Sequence, residues 1–348
     1  YEILTRDSSS DVCSSDLRVL PRASKSLSRS FTSGAKVAIL GAAGGIGQPL
    51  SMMMSVNPNV SQLALYDLVN SPGVAVDLSH INSKCHVEGY KGPKELKKTL
   101  KGANMVIVSA GLPRKPGMTR DDLFMVNAGI SFELAKACAS ICPKAPVLVI
   151  TNPVNSTVPI YSEVYKKMDV HDPRKIMGVS ILDSLRASTF ISEALGDNES
   201  ECVIPVVGGH AGRTIIPLLS QLPDNKIEKL DVTAVTKRIQ FGGDEVVVAK
   251  AGMGSATLSM AYAGSVFADA VLQGLSGKRG IIMPAYVEQN VHGCQFFASQ
   301  CEMGREGIEK ILPIPTNITA REEAAINAAV PVIQAQISKG LKYVDQNF

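Results

Sequence analysis

Short apolar runs alternate with stretches of helical periodicity along the first half of the chain. The predicted strands are residues 37–40, a run that ends at Asp67, 105–109 and 147–150, and the predicted helices are one that begins near residue 46, 72–83 and 121–142. Buried strands that alternate with helices are typical of a parallel sheet with crossover helices. We therefore predict an α/β fold in which residues 35–180 form a doubly wound parallel sheet of the Rossmann type.

The pattern changes after residue 180, where helices and short strands are mixed. The predicted elements are a helix at 181–195, a β-rich run at 203–218, helices at 228–241 and 255–274, strands at 280–287 and 294–298, and a final helix at 320–339. Pro331 falls inside the final helix and is expected to kink it, because proline lacks a backbone donor. Residues 181–348 are therefore predicted to be a second, α+β domain that packs closely on the first.

A glycine-rich turn joins the first predicted strand to the first helix. Gly41, Gly44 and Gly47 recur at a spacing of three. Glycine at such positions lets the chain turn, lets the backbone approach a phosphate, and lets the helix press on the sheet. The triplet alone also fits a flexible turn. Here, however, a strand precedes it, a helix follows it, and Asp67 ends the second strand.

This arrangement predicts a dinucleotide-binding site, because the N-terminus of a helix offers backbone N–H groups to a pyrophosphate. The residues assigned to the site are Gly41, Ala42, Ala43, Gly44, Gly45, Ile46, Gly47 and Asp67. A carboxylate at the tip of the second strand can accept hydrogen bonds from an adenosine ribose and would repel a 2′-phosphate. We therefore predict NAD rather than NADP as the cofactor.

Composition excludes several other classes of protein. The net charge of +3 is concentrated near the N-terminus. The rest of the chain is nearly neutral, so nucleic acid is not an expected partner. No apolar run approaches the ~20 residues of a membrane span, so no membrane association is expected. Seven cysteines without regular spacing favour a reducing compartment, and no metal site is expected.

Two N-terminal segments are predicted to lie outside the fold. Residues 1–17 contain SSSDVCSSDL, which resembles the translation of a sequencing adaptor, and the alternative is a disordered polar tail. Residues 18–34 are rich in Arg and Ser and contain no Asp or Glu. That composition is typical of an organelle-import presequence. The mitochondrial matrix is the predicted destination, and a plastid is the alternative.

Charged residues from both halves are candidates for one site. Asp183 and Arg186 are three apart on a predicted helix and share one face, although alone they would be interpreted as a solvated ion pair. His210 alone would be a structural core histidine, and Arg114 and Arg120 alone would form a solvated basic loop. Together, downstream of a nucleotide motif, they indicate a catalytic site.

Topology predicts that these groups meet. In a doubly wound sheet, ligands bind outside the carboxyl ends of the strands. The glycine turn, the Pro/Gly-rich loop at 110–120 and the turn at 151–155 each follow a predicted strand. They are expected to converge on one crevice.

Several motifs together resemble those of the lactate/malate dehydrogenase family, and in particular malate dehydrogenases of the mitochondrial type. The motifs are GAAGGIGQPLS (41–51), LYD (65–67), GLPRKPGMTR (111–120), ITNPVN (150–155), LD with RA at 182–183 and 186–187, and VGGHAGR (207–213). Their order and spacing match over residues 36–340. The family's helix usually opens with Thr-Thr before Leu-Asp, whereas this chain has Ser180 and Ile181.

The resemblance implies a role for each site residue. His210 would accept the proton of the substrate's C2 hydroxyl, and Asp183 would orient the imidazole ring. Substrate-binding roles are implied for Arg114, Arg120, Asn152 and Arg186. Further cofactor contacts are implied at Asn127, Ile150, Thr151, Asn152 and Met260. Residues 181–348 would then be the catalytic, substrate-binding domain, and the chain would form a homodimer.

Arg114 bears most directly on the substrate. The matching position in the related lactate dehydrogenases is typically uncharged, and a closed site would leave Arg114 unpaired unless the substrate carried a second carboxylate. A dicarboxylate, malate or oxaloacetate, is therefore expected. The alternatives are a lactate-type enzyme and a catalytically silent NAD-binding scaffold, which would be expected to have lost His210, Asp183 or an arginine.

Overall fold

Helices cover both faces of one sheet in the computed structural model, which describes residues 34–112, 120–196 and 203–348. At residues 120–123 the backbone alone is described. The predicted N-terminal segments, 1–17 and all but the last residue of 18–34, lie outside these ranges.

The secondary structure of the described residues is as follows. The strands are β1 (Ala35–Leu40), β2 (Val60–Asp67), β3 (His86–Lys91), β4 (Met105–Val108), β5 (Val147–Val149), β6 (Ile176–Val179), β7 (Val206–Gly208), β8 (Ile215–Pro217), β9 (Ile281–Val291), β10 (Cys294–Gly304) and β11 (Gly307–Ile311). The helices are α1 (Gly47–Ser55), α2 (Ser71–Ser79), α3 (Leu96–Leu100), α4 (Arg120–Ile141), α5 (Val154–Lys167), α6 (Ile181–Leu195), α7 (Asp224–Ile227), α8 (Val232–Ala249), α9 (Leu258–Ser276) and α10 (Ala320–Asn347).

The first six strands form the parallel half of the sheet. Their order is β3-β2-β1-β4-β5-β6, and every neighbouring pair is parallel. This is the doubly wound order, in which the chain changes its direction of winding between β1 and β4. The predicted Rossmann-type fold is confirmed.

The sheet continues into the second half of the chain. β6 pairs antiparallel with β9, and β10, β7 and β8 follow, with β11 also on β10. The second half is therefore a mixed α+β arrangement, as predicted. The domain boundary proposed at residue 180 falls directly after β6 and stays a prediction.

Alternate residues of the central strands enter two separate apolar cores. Ala38 and Leu40 of β1 pack in the core beneath α4, α5 and α10. Val37 and Ile39 pack in the core beneath α1, α2 and α9. Because such strands are buried on both faces, they are continuous apolar runs in the sequence.

Several helices differ from the sequence prediction, among them the short α3 and α7, which were not predicted. α8 begins at Val232 rather than 228, because the Asp231 carboxylate accepts hydrogen bonds from the N–H groups of Thr233 and Ala234 and so caps the helix. α10 extends beyond residue 339 to Asn347, with Pro331 inside it. α5 was not predicted. Despite an internal proline it forms a helix, most of whose residues are buried against neighbouring elements.

Candidate active site

The glycine turn occupies the point where the sheet changes its direction of winding. Gly41 has a φ of +92°, and a Cβ there would lie 2.4 Å from the backbone nitrogen of Ala110, in the loop after β4. A Cβ at Gly47 would lie 2.0 Å from the Gly41 carbonyl oxygen. Close backbone approach therefore requires glycine at both positions. Gly44 differs, since a Cβ there would meet only the Gly41 oxygen, at 3.4 Å.

Some backbone N–H groups of this turn are available to a ligand. Within the described ranges, no acceptor bonds to the N–H groups of Gly45 or Ile46, which immediately precede α1. Gly44 and Gly45 are exposed, whereas Ala42 and Gly47 are buried. Free donors at a helix N-terminus, with no side chain in front of the exposed glycines, fit the pyrophosphate of a dinucleotide.

A hydrogen bond to the Asp67 carboxylate joins the glycine turn to the end of β2. Asp67 Oδ2 accepts a hydrogen bond of 2.9 Å from the N–H of Ala43, and Oδ1 accepts one of 2.7 Å from Leu68. The carboxylate remains partly exposed at the tip of β2. Burial raises the pKa of the neighbouring Tyr66, and the charge of Asp67 raises it further. The predicted contact between Asp67 and a ribose stays a prediction.

His210 and Asp183 form a buried hydrogen-bonded pair. His210 Nδ1 lies 2.6 Å from Asp183 Oδ2, and the two side chains are 9% and 2% exposed. An ionised carboxylate can only accept, so Nδ1 carries the proton. The neutral imidazole therefore keeps its lone pair on Nε2, the nitrogen needed for a general base. Asp183 is not the solvated residue that its spacing from Arg186 alone suggested.

A tight turn positions the backbone on both sides of His210. Gly208 has a φ of +104°, and a Cβ there would lie 2.2 Å from the Thr214 carbonyl oxygen. The N–H of Gly209 donates to the same oxygen at 2.8 Å. The N–H of His210 donates to Asn155 Oδ1 at 2.8 Å.

Arg186 lies beside this pair on α6. Its Nη1 is 3.9 Å from Asp183 Oδ1, and its side chain is 14% exposed. Burial lowers the pKa of Arg186, while the charges of Asp183 and Glu245 act in the opposite direction. Within the described residues, Asp183 Oδ1 has no hydrogen-bond partner. The guanidinium is thus close enough to Asp183 for charge attraction, and its hydrogen-bond donors remain available to an anion.

The buried side chain of Asn127 joins the loop after β4 to the turn after β5. Its Oδ1 accepts from the N–H of Leu112 at 2.8 Å. Its Nδ2 donates to the carbonyl oxygens of Leu112, at 3.2 Å, and Asn152, at 2.8 Å. In this structure both amide groups of Asn127 bind backbone, and the predicted contact between Asn127 and the cofactor stays a prediction. The Asn152 side chain is exposed.

Direct contacts connect the glycine turn to the histidine. Gly41 abuts Ala110, whose carbonyl oxygen accepts from Thr151 Oγ1 at 2.7 Å. Four residues further along the chain, Asn155 binds the backbone of His210. These contacts place the glycine turn, the start of the loop at 110–120 and the turn at 151–155 together, as the topology predicted, with the His210–Asp183 pair beside them.

The remaining predicted residues lie apart from this series of contacts or outside the described ranges. Ile150 and Met260 are buried in the core shared with α1 and α9, and their predicted contacts with the cofactor stay predictions. Arg114 and the Arg120 side chain fall outside the described residues. Their predicted contacts stay predictions.

Among the described residues, no group of three or more His, Cys, Asp or Glu side chains is placed to bind a metal ion. None of the helices within the same ranges is long and apolar enough to cross a membrane.

Two protein-family models match this chain. The family model described as the NAD-binding domain of lactate/malate dehydrogenases matches residues 35–178. The model described as their α/β C-terminal domain matches residues 180–344. Together the two models span most of the chain.

Individual relatives match over nearly the same length. The mitochondrial malate dehydrogenase of Caenorhabditis elegans is 51% identical over 90% of this chain and 92% of its own. The human mitochondrial malate dehydrogenase is 50% identical over 92% of this chain and 96% of its own. The crystal structure of the Cryptosporidium parvum malate dehydrogenase superposes with a TM-score of 0.77 at 29% identity, covering 89% of this chain and 99% of that one. The chain belongs to the lactate/malate dehydrogenase family.

Proposed function

We propose that the chain is an NAD-dependent malate dehydrogenase that interconverts malate and oxaloacetate at the crevice between the glycine turn and His210. The observation that supports this most strongly is the buried pair formed by His210 Nδ1 and Asp183 Oδ2, 2.6 Å apart. Relatives that are about half identical over nine tenths of the chain carry the name malate dehydrogenase.

His210 would transfer the proton as the general acid–base. In malate oxidation Nε2 accepts the proton of the C2 hydroxyl, and in oxaloacetate reduction it returns that proton to the carbonyl oxygen. NAD, when bound, supplies the nicotinamide ring that takes the hydride from C2. Asp183 keeps Nδ1 protonated and stabilises the imidazolium without taking the proton itself.

Arginines would bind the two carboxylates of the substrate. Arg186, on the same helix as Asp183, would bind the C1 carboxylate bidentately. Arg114 would bind the distal carboxylate, and Arg120 would polarise the C2 oxygen. Asn152 would add a hydrogen bond to the substrate from its exposed side chain. Because Arg114 needs a carboxylate partner, oxaloacetate should be strongly preferred to pyruvate.

Cofactor choice would depend on the tip of β2. The Asp67 carboxylate stays partly exposed there, so its charge would repel the 2′-phosphate of NADP. The free N–H groups of Gly45 and Ile46 would bind the pyrophosphate. Residues 35–180 would then be the NAD-binding domain and 181–348 the catalytic domain.

Location and assembly are further parts of this proposal. The Arg/Ser-rich segment at 18–34 and the mitochondrial names of the relatives support import into the mitochondrial matrix rather than a plastid. A homodimer is proposed because α1 and α9 carry exposed apolar side chains, among them Met52 and Tyr262.

The direct test is an assay of the chain from residue 35 onwards. Loss of NADH absorbance is measured with oxaloacetate or pyruvate, and each is repeated with NADPH. We expect rapid oxidation of NADH with oxaloacetate and little with pyruvate or NADPH. A preference for pyruvate would contradict the dicarboxylate proposal, and a folded protein that binds NADH but reduces neither substrate would contradict catalysis altogether.

A histidine substitution tests the proton-transfer step. His210→Asn should lower kcat by about 10²–10⁴-fold while NADH binding is retained, since only the general acid–base is lost. His292→Asn is the matched control, because His292 is exposed in the β9–β10 turn. Equal activity of the two variants would contradict the assignment of His210.

A further inference from the structure

Asn155 connects the catalytic histidine to the last helix of the chain. Its side chain is buried, with the residue 1% exposed. Oδ1 accepts from the His210 N–H at 2.8 Å, and Nδ2 donates to Gln336 Oε1 at 2.7 Å. Because a backbone N–H can only donate, Oδ1 must face His210, and the amide group must then face Gln336.

Gln336 is itself held in place on α10. Its carbonyl oxygen accepts from Ser156 Oγ at 2.8 Å. One helical turn further along, a Cβ at Gly340 would lie 2.2 Å from the Ser156 carbonyl oxygen. The backbones of α5 and α10 are therefore in close contact here, and the acceptor offered to Asn155 has little freedom to move away.

The histidine turn is shaped to admit the Asn155 side chain. A Cβ at Gly209 would lie 2.5 Å from Asn155 Nδ2 and 2.5 Å from Thr214 Oγ1. Any larger residue before His210 would therefore displace Asn155 or the Thr214 side chain, which closes the turn by donating to Ala211 O at 2.8 Å.

We propose that Asn155, oriented by Gln336, is a positioning residue for His210. By fixing the backbone of His210 it holds Nδ1 on Asp183 and leaves Nε2 directed at the substrate. This inference rests on the proposed function, since it assigns His210 the proton transfer. Through this bond the C-terminal helix stabilises the catalytic geometry, although α10 contributes no residue to the predicted site.

Loss of this support should affect turnover more than binding. Without Asn155 the buried His210 N–H would have no acceptor, and the turn would shift to find one. A displacement of about 1 Å is sufficient to slow catalysis substantially. The glycine turn binds the cofactor independently of Asn155, so the affinity for NADH should be unchanged.

The test compares variants at both ends of the connection. Asn155→Ala should lower kcat with oxaloacetate by about tenfold, the effect of one lost hydrogen bond, with wild-type NADH affinity measured by fluorescence titration. Gln336→Leu should lower kcat severalfold. Gln334→Leu is its matched control, because Gln334 is on the same helix but donates to Gly293 O, away from His210.

The variant Asn155→Asp tests whether Asn155 positions His210 or only stabilises the fold. The carboxylate keeps the acceptor for the His210 N–H, and the Gln336 amide can rotate to donate to it. The added negative charge favours the imidazolium. The rate of malate oxidation, which needs neutral His210, should therefore recover but only at a higher pH than in the wild type.

The possible outcomes distinguish failure of the proposed malate dehydrogenase function from failure of the proposed role of Asn155. An inactive wild type would contradict the proposed function. An active wild type with Gln336→Leu equal to Gln334→Leu, or with Asn155→Ala at the wild-type kcat, would contradict the inference alone. A loss of NADH affinity and thermal stability in parallel with kcat, without the pH displacement in Asn155→Asp, would also overturn it.

Discussion

The glycines at positions 41, 44 and 47 of the turn are under two different constraints. Gly41 and Gly47 are required by the backbone itself, because a Cβ at either would overlap atoms of the turn or of the loop after β4. Gly44 has room for a Cβ but is exposed beside the free donors of the turn. The three glycines are equally spaced in the sequence, but the reason for glycine at Gly44 differs from the reason at Gly41 and Gly47.

Substitutions at Gly44 and Gly47 should separate these constraints. Gly47→Ala should lower the free energy of unfolding by about 1–3 kcal/mol through overpacking. Gly44→Ala should leave thermal unfolding near that of the wild type but weaken NADH binding, because its methyl group would keep the pyrophosphate from the backbone. Thermal melts and NADH titrations check both outcomes, and wild-type NADH affinity in Gly44→Ala would contradict the predicted phosphate contact.

At the scale of elements, a polar cluster joins α5 to β9. Glu288 accepts from Lys166 at 2.5 Å and from Ser162 at 2.6 Å, and His171 Nε2 lies 3.0 Å from its carboxylate. Burial opposes the charge of Glu288, but these partners outweigh it and lower its pKa from 4.5 to about 2. The cluster thus couples a helix from the first half of the chain to a strand of the second.

The Glu288 cluster predicts a dependence of stability on acid. Since the pKa in the folded state is below the ordinary value, the ionised carboxylate stabilises the fold above pH 4.5, and this contribution is lost as the pH falls towards 2. Glu288→Gln should lower the free energy of unfolding at neutral pH by on the order of 3 kcal/mol. It should also flatten the loss of stability below pH 4.5.

Urea unfolding at several pH values measures this effect. Glu228→Gln is the control, because Glu228 is exposed. If Glu288→Gln lost stability by the same amount at pH 3 and pH 7 (two conditions on either side of the ordinary carboxyl pKa), the electrostatic explanation would be wrong.

At the scale of the whole molecule, α1 and α9 form an apolar face. Thr257, the residue before α9, lies against Gly45 of the glycine turn, so both helices begin beside the proposed cofactor site. Met52, Leu258 and Tyr262 on these helices are exposed. Exposed apolar side chains on two helices that pack together are a feature of protein interfaces.

The proposed homodimer can be tested on this face. Tyr262→Glu should convert the protein to a monomer, because a buried unpaired charge disfavours association. Val332→Glu is the control, since Val332 is an exposed apolar residue on α10. Light scattering during size-exclusion chromatography gives the molar mass, and a wild-type monomer would contradict the dimer proposal.

The fold was largely predictable because its signals are local. Buried parallel strands are uninterrupted apolar runs, and α6 begins and ends at the predicted residues, Ile181 and Leu195. The predicted helices were less accurate where packing against residues distant in the sequence outweighed the local helix preference of the residues. α8 continues through Gly242, which packs against Phe190 of α6, and α5 forms despite Pro159.

The sequence by itself determined the strand–glycine turn–helix order, the acid at the tip of β2, and the common face of Asp183 and Arg186, because each depends on residues a few positions apart. Only the tertiary structure decided that Asp183 is buried against His210, 27 residues away, and that Asn155 joins His210 to Gln336, 181 residues away. Backbone geometry sets local spacing, whereas contacts between distant residues depend on how whole helices pack. The hydrophobic periodicity of the sequence does not indicate which helices pack together.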